Sequence, residues 1–381
     1  MEKISFISLI KELISFKSIT PNSSGSLEYI SALLIKNGFN VIQKDFGDGE
    51  EKVSNLYARI GNSSPNICFA GHLDIVPPGD FSKWLFDPYT ATEHDGYLYG
   101  RGTVDMKGAI GCMIAASINF VKEQKKLDGS ISFLLTSDEE GPATNGTKLM
   151  IEHIYNLGEK IDLAIIGEPT LDQKIGDTIH IGRRGSISFN LVVTGKQGHV
   201  AYQYEAINPN SIMVKILDRL INTKIDDGNE WFEPSNLEIT SIDADNLTEN
   251  LIPNSCSAKF NIRYNNIFTK DDLVMKIENI IKEFSDNYEL KYRHNAEPFI
   301  CNPEDLAEKF ASSSYIVTNI KPKFSTSGGT SDARFIKNYT KTIEFGLSPS
   351  TAHQVNERVE IKDLQKLYDV YYQALENYII K

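Results

Sequence analysis

Two histidines and a set of acids carry the chemistry that this sequence can do. His72 and Asp74 form an H-x-D pair, Asp105 lies in GRGTVDMKG, Glu139 and Glu140 are adjacent in TSDEEG, Glu168 sits in GEPT, and His353 lies far downstream in STAHQVN. Carboxylates placed at the ends of neighbouring buried strands repel one another unless positive charge stands between them. Two divalent cations would supply that charge. With Asp105, Glu140 and Glu168 binding as carboxylates and His72 and His353 as neutral imidazoles, three negative charges and one hydroxide balance two Zn2+. Imidazole with carboxylate suits zinc, and two metals about 3.5–4 Å apart lower the pKa of a shared water toward neutrality. Glu139 neighbours a ligand without needing to be one, which leaves it free as general base. Asp74 can accept the second ring N–H of His72 and so fix its tautomer.

Taken singly, each element is commonplace: an H-x-D pair is usually structural, an E-E pair a solvated surface, and G-E-P a turn. The ordered set is what points to a metal centre, because every member follows an apolar run or sits in a glycine-rich turn. Rival motifs fail in detail. The stretch GPATNGTK from Gly141 to Lys148 resembles a phosphate-binding loop, but Thr147 precedes Lys148 and Pro142 removes an N–H from the cradle. Gly100-Arg101-Gly102 lacks the third glycine of a dinucleotide fingerprint, and neither H-E-x-x-H nor G-x-S-x-G occurs.

The elements that must position these residues are visible as short apolar runs. Residues 66–70 (NICFA), 131–135 (ISFLL) and 162–166 (DLAII) read as buried strands, and GHLD, TSDEEG and GEPT follow them at once. In open α/β sheets the ligand site lies beyond the carboxyl ends of the strands, which is where these motifs fall. From about Ile181 the texture changes. Strand-like alternation at 186–194 precedes a helical run at 208–221, strand candidates at 237–242 and 257–264, and a helical stretch at 270–284. This β-α-β-β-α order suits a small antiparallel sheet with helices on one face. From about Lys291 the α/β texture returns. The expectation is an α/β fold with a discontinuous catalytic domain, 1–180 and 293–381, interrupted by an inserted α+β domain, 181–292.

Composition sets the outer limits. At 381 residues the chain is long enough for two domains, each burying a core. A net charge of −12 argues against a general nucleic-acid binder, which needs clustered Lys and Arg. Cys68, Cys112, Cys256 and Cys301 lie far apart, which reads as free thiols in a reducing compartment. The first residues, MEKISFISLIKELISFKSIT, alternate apolar and charged positions as an amphipathic helix rather than a signal peptide, and no uncharged apolar run approaches the roughly 18 residues of a membrane span. A cytoplasmic protein with no nucleic-acid or membrane partner is expected.

Seven motifs, GHLDIVPPGD, GRGTVDMKG, TSDEEGPATNGT, IIGEPT, GRRGS, GKQGHVAY and TSGGTSDARF, occur in the order found in the aminoacylase and carboxypeptidase superfamily of two-zinc hydrolases, which the chain resembles from about residue 1 to 375. The resemblance implies a zinc-peptidase-like catalytic domain, its mixed sheet lying between helices, and an inserted ferredoxin-like domain that serves as lid and dimerises. It makes His72, Asp105 and Glu168 the ligands of one zinc and Asp105, Glu140 and His353 those of the other, Asp105 bridging; cobalt can replace zinc. Glu139 becomes the general base, Asp74 the histidine-orienting acid, and Asp105–Met106 a cis peptide. His199, in GKQGHVAY, is implied to reach the partner subunit's site in a homodimer and hydrogen-bond the oxyanion. Arg183, Ser186, Tyr202, Asn250, Arg263 and Thr330 match substrate-contact positions. The motif set is most similar to the branch that hydrolyses N-succinyl-LL-2,6-diaminopimelate in lysine and diaminopimelate synthesis. A sibling deacylase or peptidase, such as an acetylornithine deacetylase, an aminoacylase or a dipeptidase, remains the alternative. Two positions depart from the pattern: Pro349 stands where Asn is frequent, and Gln203 follows Tyr202 where proline is frequent.

Overall fold

The structure is a computed structural model that describes residues 3–124, 126–301 and 305–380. The chain divides into two compact units. Met1–Gly182, Cys301–Ser325 and Ser331–Lys381 form the first, and Arg183–Ile300 with Thr326–Thr330 form the second.

The first unit is built on an eight-stranded mixed sheet. Its order is Asn40–Phe46, Val53–Ile60, Ser130–Thr136, Asn66–His72, Leu163–Ile166, Lys341–Glu344, Thr178–His180 and Lys323–Ser325. The four central strands run parallel. Parallel strands are covered on both faces, so their sequences are continuous apolar runs rather than alternations. Every residue of Asn66–His72, Ser130–Thr136 and Leu163–Ile166 is accordingly buried. The register aligns their carboxyl ends, since His72 stands opposite Thr136, Ala70 opposite Ile166, and Ile166 opposite Glu344.

Helices complete this core. Lys107–Glu123 is apolar nearly all round, and its residues from Lys107 to Phe120 are all buried, as expected of a helix packed on several sides. Phe6–Ser15 and Ile361–Ile379 both pack on it. Phe6–Ser15 is the amphipathic N-terminal helix expected from the sequence, burying Leu9, Ile10, Leu13 and Ile14. Gly71 matters to the site. A Cβ there would come within 2.2 Å of Met106 Cε, so only glycine lets the Met106 side chain, and Asp105 before it, lie against the strand end. The Asp105–Met106 peptide is cis.

The second unit is an antiparallel four-stranded sheet in the order Asn236–Asp243, Ser255–Tyr264, Gly185–Thr194, Tyr288–Ala296. Along Gly185–Thr194, Ile187, Phe189, Leu191 and Val193 are buried and pack with Met213, Ile216, Leu217 and Leu220 of the helix Pro209–Ile221 and with Leu273, Ile277, Ile280 and Ile281 of the helix Lys270–Lys282. Both helices start on strong signals: Asn208 accepts from Asn210 N–H with Pro209 at the first turn, and Thr269 forms a capping box with Asp272. The β-α-β-β-α order read from the sequence omits the last strand, Tyr288–Ala296. Most of its residues are exposed or half-buried, so it carries no apolar alternation to announce it.

Candidate metal centre

Seven predicted residues of the first unit converge at the carboxyl ends of the central strands. His72 ends its strand, Glu139 and Glu140 follow Ser130–Thr136 by three and four residues, Glu168 follows Leu163–Ile166 by two, and Asp105 stands just before the helix Lys107–Glu123. His353 comes from an irregular loop after Lys341–Glu344, with a left-handed φ of 60°.

Asp105 lies between the two histidines. Its Oδ1 is 3.2 Å from His72 Nε2 and its Oδ2 is 3.3 Å from His353 Nε2. Glu168 Oε1 is 3.8 Å from His72 Nε2, and Glu140 Oε1 is 2.8 Å from His353 Nε2. Donors placed 2.0–2.2 Å from one tetrahedral zinc stand roughly 3–3.5 Å from each other, so these separations fit shells around two cations. Among the described residues, two triads have donor atoms all within 4.8 Å of one another: His72, Asp105 and Glu140, and His72, Glu139 and Glu168. These are not the two sets the sequence resemblance implies. His353 joins through its pairs with Glu140 and Asp105 rather than through a closed triad.

The electrostatics point the same way. Burial, with the charges of Asp105 and Glu139 added, pushes the Glu168 carboxyl well above its usual range. Burial does the same to Glu139, reinforced by Asp332, Glu140 and Asp105. Asp332 is itself buried and pushed up to about 6, chiefly by burial. Burial alone would depress His72, but its hydrogen bond to Asp105 and the charges of Asp74 and Glu168 raise it well above the usual value. His353 is raised to about 10 by hydrogen bonds to Asp105 and Glu140. A cluster that must hold protons to remain together is one that cations can occupy in the protons' place.

Asp74 departs from its expected geometry. The second ring N–H of His72, on Nδ1, donates to the backbone carbonyl of Asp74 at 2.9 Å, while the Asp74 carboxylate stands 3.6 Å away. His72 Nε2 faces the site, and the contact to Nδ1 comes from a main-chain oxygen, not from the Asp74 side chain. The H-x-D turn places that carbonyl closer to the ring than the carboxylate. The carboxylate, fully buried, instead accepts the backbone N–H groups of Glu139, at 3.1 Å, and of Glu140, at 3.0 Å. It thereby orients both glutamates. In the following loop, Asp138 accepts the N–H groups of Ala143, Thr144 and Asn145. The amides a phosphate loop would offer are engaged internally.

The other predicted residues lie in the second unit, in two groups. His199, Tyr202 and Asn250 share one edge: His199 pairs with Leu251, Val200 N–H donates to Asn250 O, and the His199 and Tyr202 rings lie 5.6 Å apart. His199 Nδ1 accepts the Ala201 N–H at 3.1 Å, leaving Nε2–H as the outward donor of an exposed imidazole. Arg183, Ser186, Arg263 and Thr330 form the second group. Ser186 faces Arg263 across the strands, Arg263 donates to Thr330 Oγ1 at 3.4 Å, and Arg183 donates to Ser327 O at 2.9 Å. Arg184 donates to Asn236 Oδ1, and among the described residues neither Arg184 nor Arg263 is within ion-pair distance of a carboxylate. Burial and then the neighbouring Arg184 charge hold Arg263 below its ordinary pKa. Sequence reasoning passed over Arg101 and Glu357, a buried pair behind the centre. Arg101 stood in GRGTVDMKG, where only Asp105 was given a role, although an arginine flanked by two glycines is itself a sign of a special position.

Comparison with known proteins gives the chain's family and fold. A family model for Peptidase family M20/M25/M40 matches residues 68–377. The chain is 54% identical over 371 residues to a protein of Rickettsia bellii named succinyl-diaminopimelate desuccinylase, covering 96% of this chain and 95% of that one. It is 53% identical to the protein of the same name from Orientia tsutsugamushi, with 97% and 95% covered. Among solved structures it is similar to an M20 family metallo-carboxypeptidase of Sulfolobus solfataricus, with a TM-score of 0.81, 18% identity, and 98% and 99% of the two chains covered. A Bacillus subtilis protein described as a dinuclear metal binding peptidase aligns with a TM-score of 0.69 at 14% identity, covering 98% of this chain and 96% of that one.

Proposed function

This chain belongs to Peptidase family M20/M25/M40, and from that premise we propose that it hydrolyses the succinyl amide of N-succinyl-LL-2,6-diaminopimelate to succinate and LL-2,6-diaminopimelate. The observation that carries the reading is Asp105, one oxygen toward each of two histidines, in a chain more than half identical to proteins named for this activity. His72, Asp105 and Glu168 would hold one zinc, and Asp105, Glu140 and His353 a second. When bound, such ions make a water acidic enough to attack at neutral pH and polarise the scissile carbonyl.

The protein's own groups do the rest. Glu139 removes a proton from water as its oxygen adds to the amide carbon, and returns that proton to the departing nitrogen as the C–N bond breaks. Asp74 keeps Glu139 aimed through its main chain. His199 offers Nε2–H to the oxyanion of the partner subunit's reaction. Arg183 and Arg263, with Ser186, Tyr202, Asn250 and Thr330, bind the substrate carboxylates. Arg263, half-buried beside Arg184 and within ion-pair distance of no carboxylate among the described residues, suits an anionic group. Pro349 offers no amide side chain to the substrate.

A homodimer through the second unit is supported by its open edge strand Asn236–Asp243, carrying exposed Ile242, and by exposed Val214 and Ile221 on the helix Pro209–Ile221. Four free cysteines, three of them buried, suit the reducing cytoplasm. None of the described helices is long and apolar enough to cross a membrane. The deciding experiment is hydrolysis of N-succinyl-LL-2,6-diaminopimelate by zinc-loaded protein beside N-acetylornithine and a dipeptide. Turnover of the succinyl substrate alone is expected. Preference for either other substrate would move the assignment to a sibling deacylase or peptidase, and inactivity on all three with zinc bound would overturn it.

A further inference from the structure

The metal-facing side chains are held by two different kinds of support. His72 ends a fully buried strand paired on both sides, and Glu168 follows a second buried strand, with Gly167 N–H donating to Ala70 O at 3.2 Å. His353 has no such frame: it sits in a loop, with φ in the left-handed region and a side chain 48% exposed. What fixes that loop is a buried ion pair. Arg101 Nη1 and Glu357 Oε2 are 2.6 Å apart, and their side chains are 2% and 0% exposed.

Each partner ties chain segments together. Arg101 donates from Nη1 to Gln354 O at 3.2 Å, and from Nη2 to His353 O and Pro77 O, both at 3.4 Å. Glu357 Oε1 accepts the N–H groups of Val104 at 2.8 Å, Gly102 at 3.1 Å and Asp105 at 3.3 Å. Its own carbonyl accepts from Gly100. The Arg101 guanidinium lies over the Trp84 ring, 5.3 Å from its centroid, and Trp84 in turn donates to Pro78 O. Three loops, 77–85, 100–105 and 353–357, therefore meet on one pair. The pair is neutral overall, so its effect on the centre is to hold position rather than to add charge.

We infer that Arg101 and Glu357 are positioning residues for the metal position faced by His353 and Glu140, and that the position faced by His72 and Glu168 does not depend on them. Asp105 serves both positions, but the helix Lys107–Glu123 also carries it, whereas His353 has only the loop. The inference rests on the two-metal reading above.

Glu357→Gln is the discriminating variant. The amide keeps an oxygen for the three N–H groups but turns an NH2 toward the Arg101 donors, which breaks the pair and releases the His353 loop. Metal content is measured after dialysis against buffered free zinc, beside the unaltered chain and His353→Ala. The unaltered chain should hold two ions and His353→Ala one. Glu357→Gln should bind its second ion at least tenfold more weakly, with the first within threefold of normal. Two ions at unaltered affinity overturn the inference, and so does equal weakening of both, which marks a merely structural role. An unaltered chain that holds one ion, unchanged in His353→Ala, removes the two-metal reading and this inference with it. Should Glu357→Gln lack a cooperative melt, Arg101→Lys, which keeps the charge and loses the fork, is judged by the same outcomes.

Discussion

Glu139 is aimed by its main chain: its N–H and that of Glu140 converge on the buried Asp74 carboxylate. Glu139→Gln leaves those bonds intact, so turnover should fall by about 10²–10⁴ while metal content, read by elemental analysis, stays unchanged. His199→Ala should lower kcat by roughly 10²–10³, the usual loss for one oxyanion donor, with metal content again unchanged; an unaltered rate would leave His199 as a surface turn. The histidine pKa values give a further expectation. In the metal-free cluster His353 is raised to about 10 by Asp105 and Glu140, so at neutral pH it carries a proton that a cation must displace. Zinc affinity should therefore rise with pH up to about 10, and binding at pH 7 should release protons, measurable by calorimetry in buffers of differing ionisation enthalpy. The sign for metal-free stability is opposite. A raised folded pKa stabilises below the unfolded value near 6.5, and that contribution fades as pH climbs toward 10.

The elements that carry the site have their own weak points. Gly71→Ala would drive a Cβ to 2.2 Å from Met106 Cε; overpacking of this kind costs about 1–3 kcal/mol, and metal affinity should fall with it because Asp105 adjoins Met106. Removing a helix cap of the second unit, Thr269→Ala, should cost about 1 kcal/mol by denaturant titration and leave metal binding alone. Much of this architecture was legible in the sequence because buried parallel strands are nearly uniform in apolar character: NICFA, ISFLL and DLAII stand out, and the polar residues just past them mark the site. The helix Pro209–Ile221 was legible as a helical run at 208–221. What escaped lacks such contrast. Tyr288–Ala296 is a strand with few buried residues, so nothing alternates. The service of the Asp74 main-chain carbonyl depends on how a turn folds back, which residue types do not encode. Arg101 and Glu357 stand 256 positions apart, and the pairing of Arg358–Glu360 with Tyr97–Tyr99 brings them together.

At the scale of the whole molecule, all the predicted metal-facing residues belong to the first compact unit and none to the second. Chelation should therefore lower the melting temperature of the first unit and leave that of the second in place, seen as a shift in one of two calorimetric transitions; a bound ion at 100 times its dissociation constant is worth about 2.7 kcal/mol. The sheet order has a consequence for synthesis. Lys341–Glu344 lies inside the sheet, between Leu163–Ile166 and Thr178–His180, yet it leaves the ribosome long after both. Until then the nascent first unit exposes two unpaired buried-type edges, which are templates for wrong pairing. The contiguous bulk of the second unit, Arg183–Ile300, has by contrast emerged entire. The intervening domain thus has time to fold while its host waits with a gap in its sheet, and a chain stopped short of residue 341 would need a chaperone more than it would need zinc.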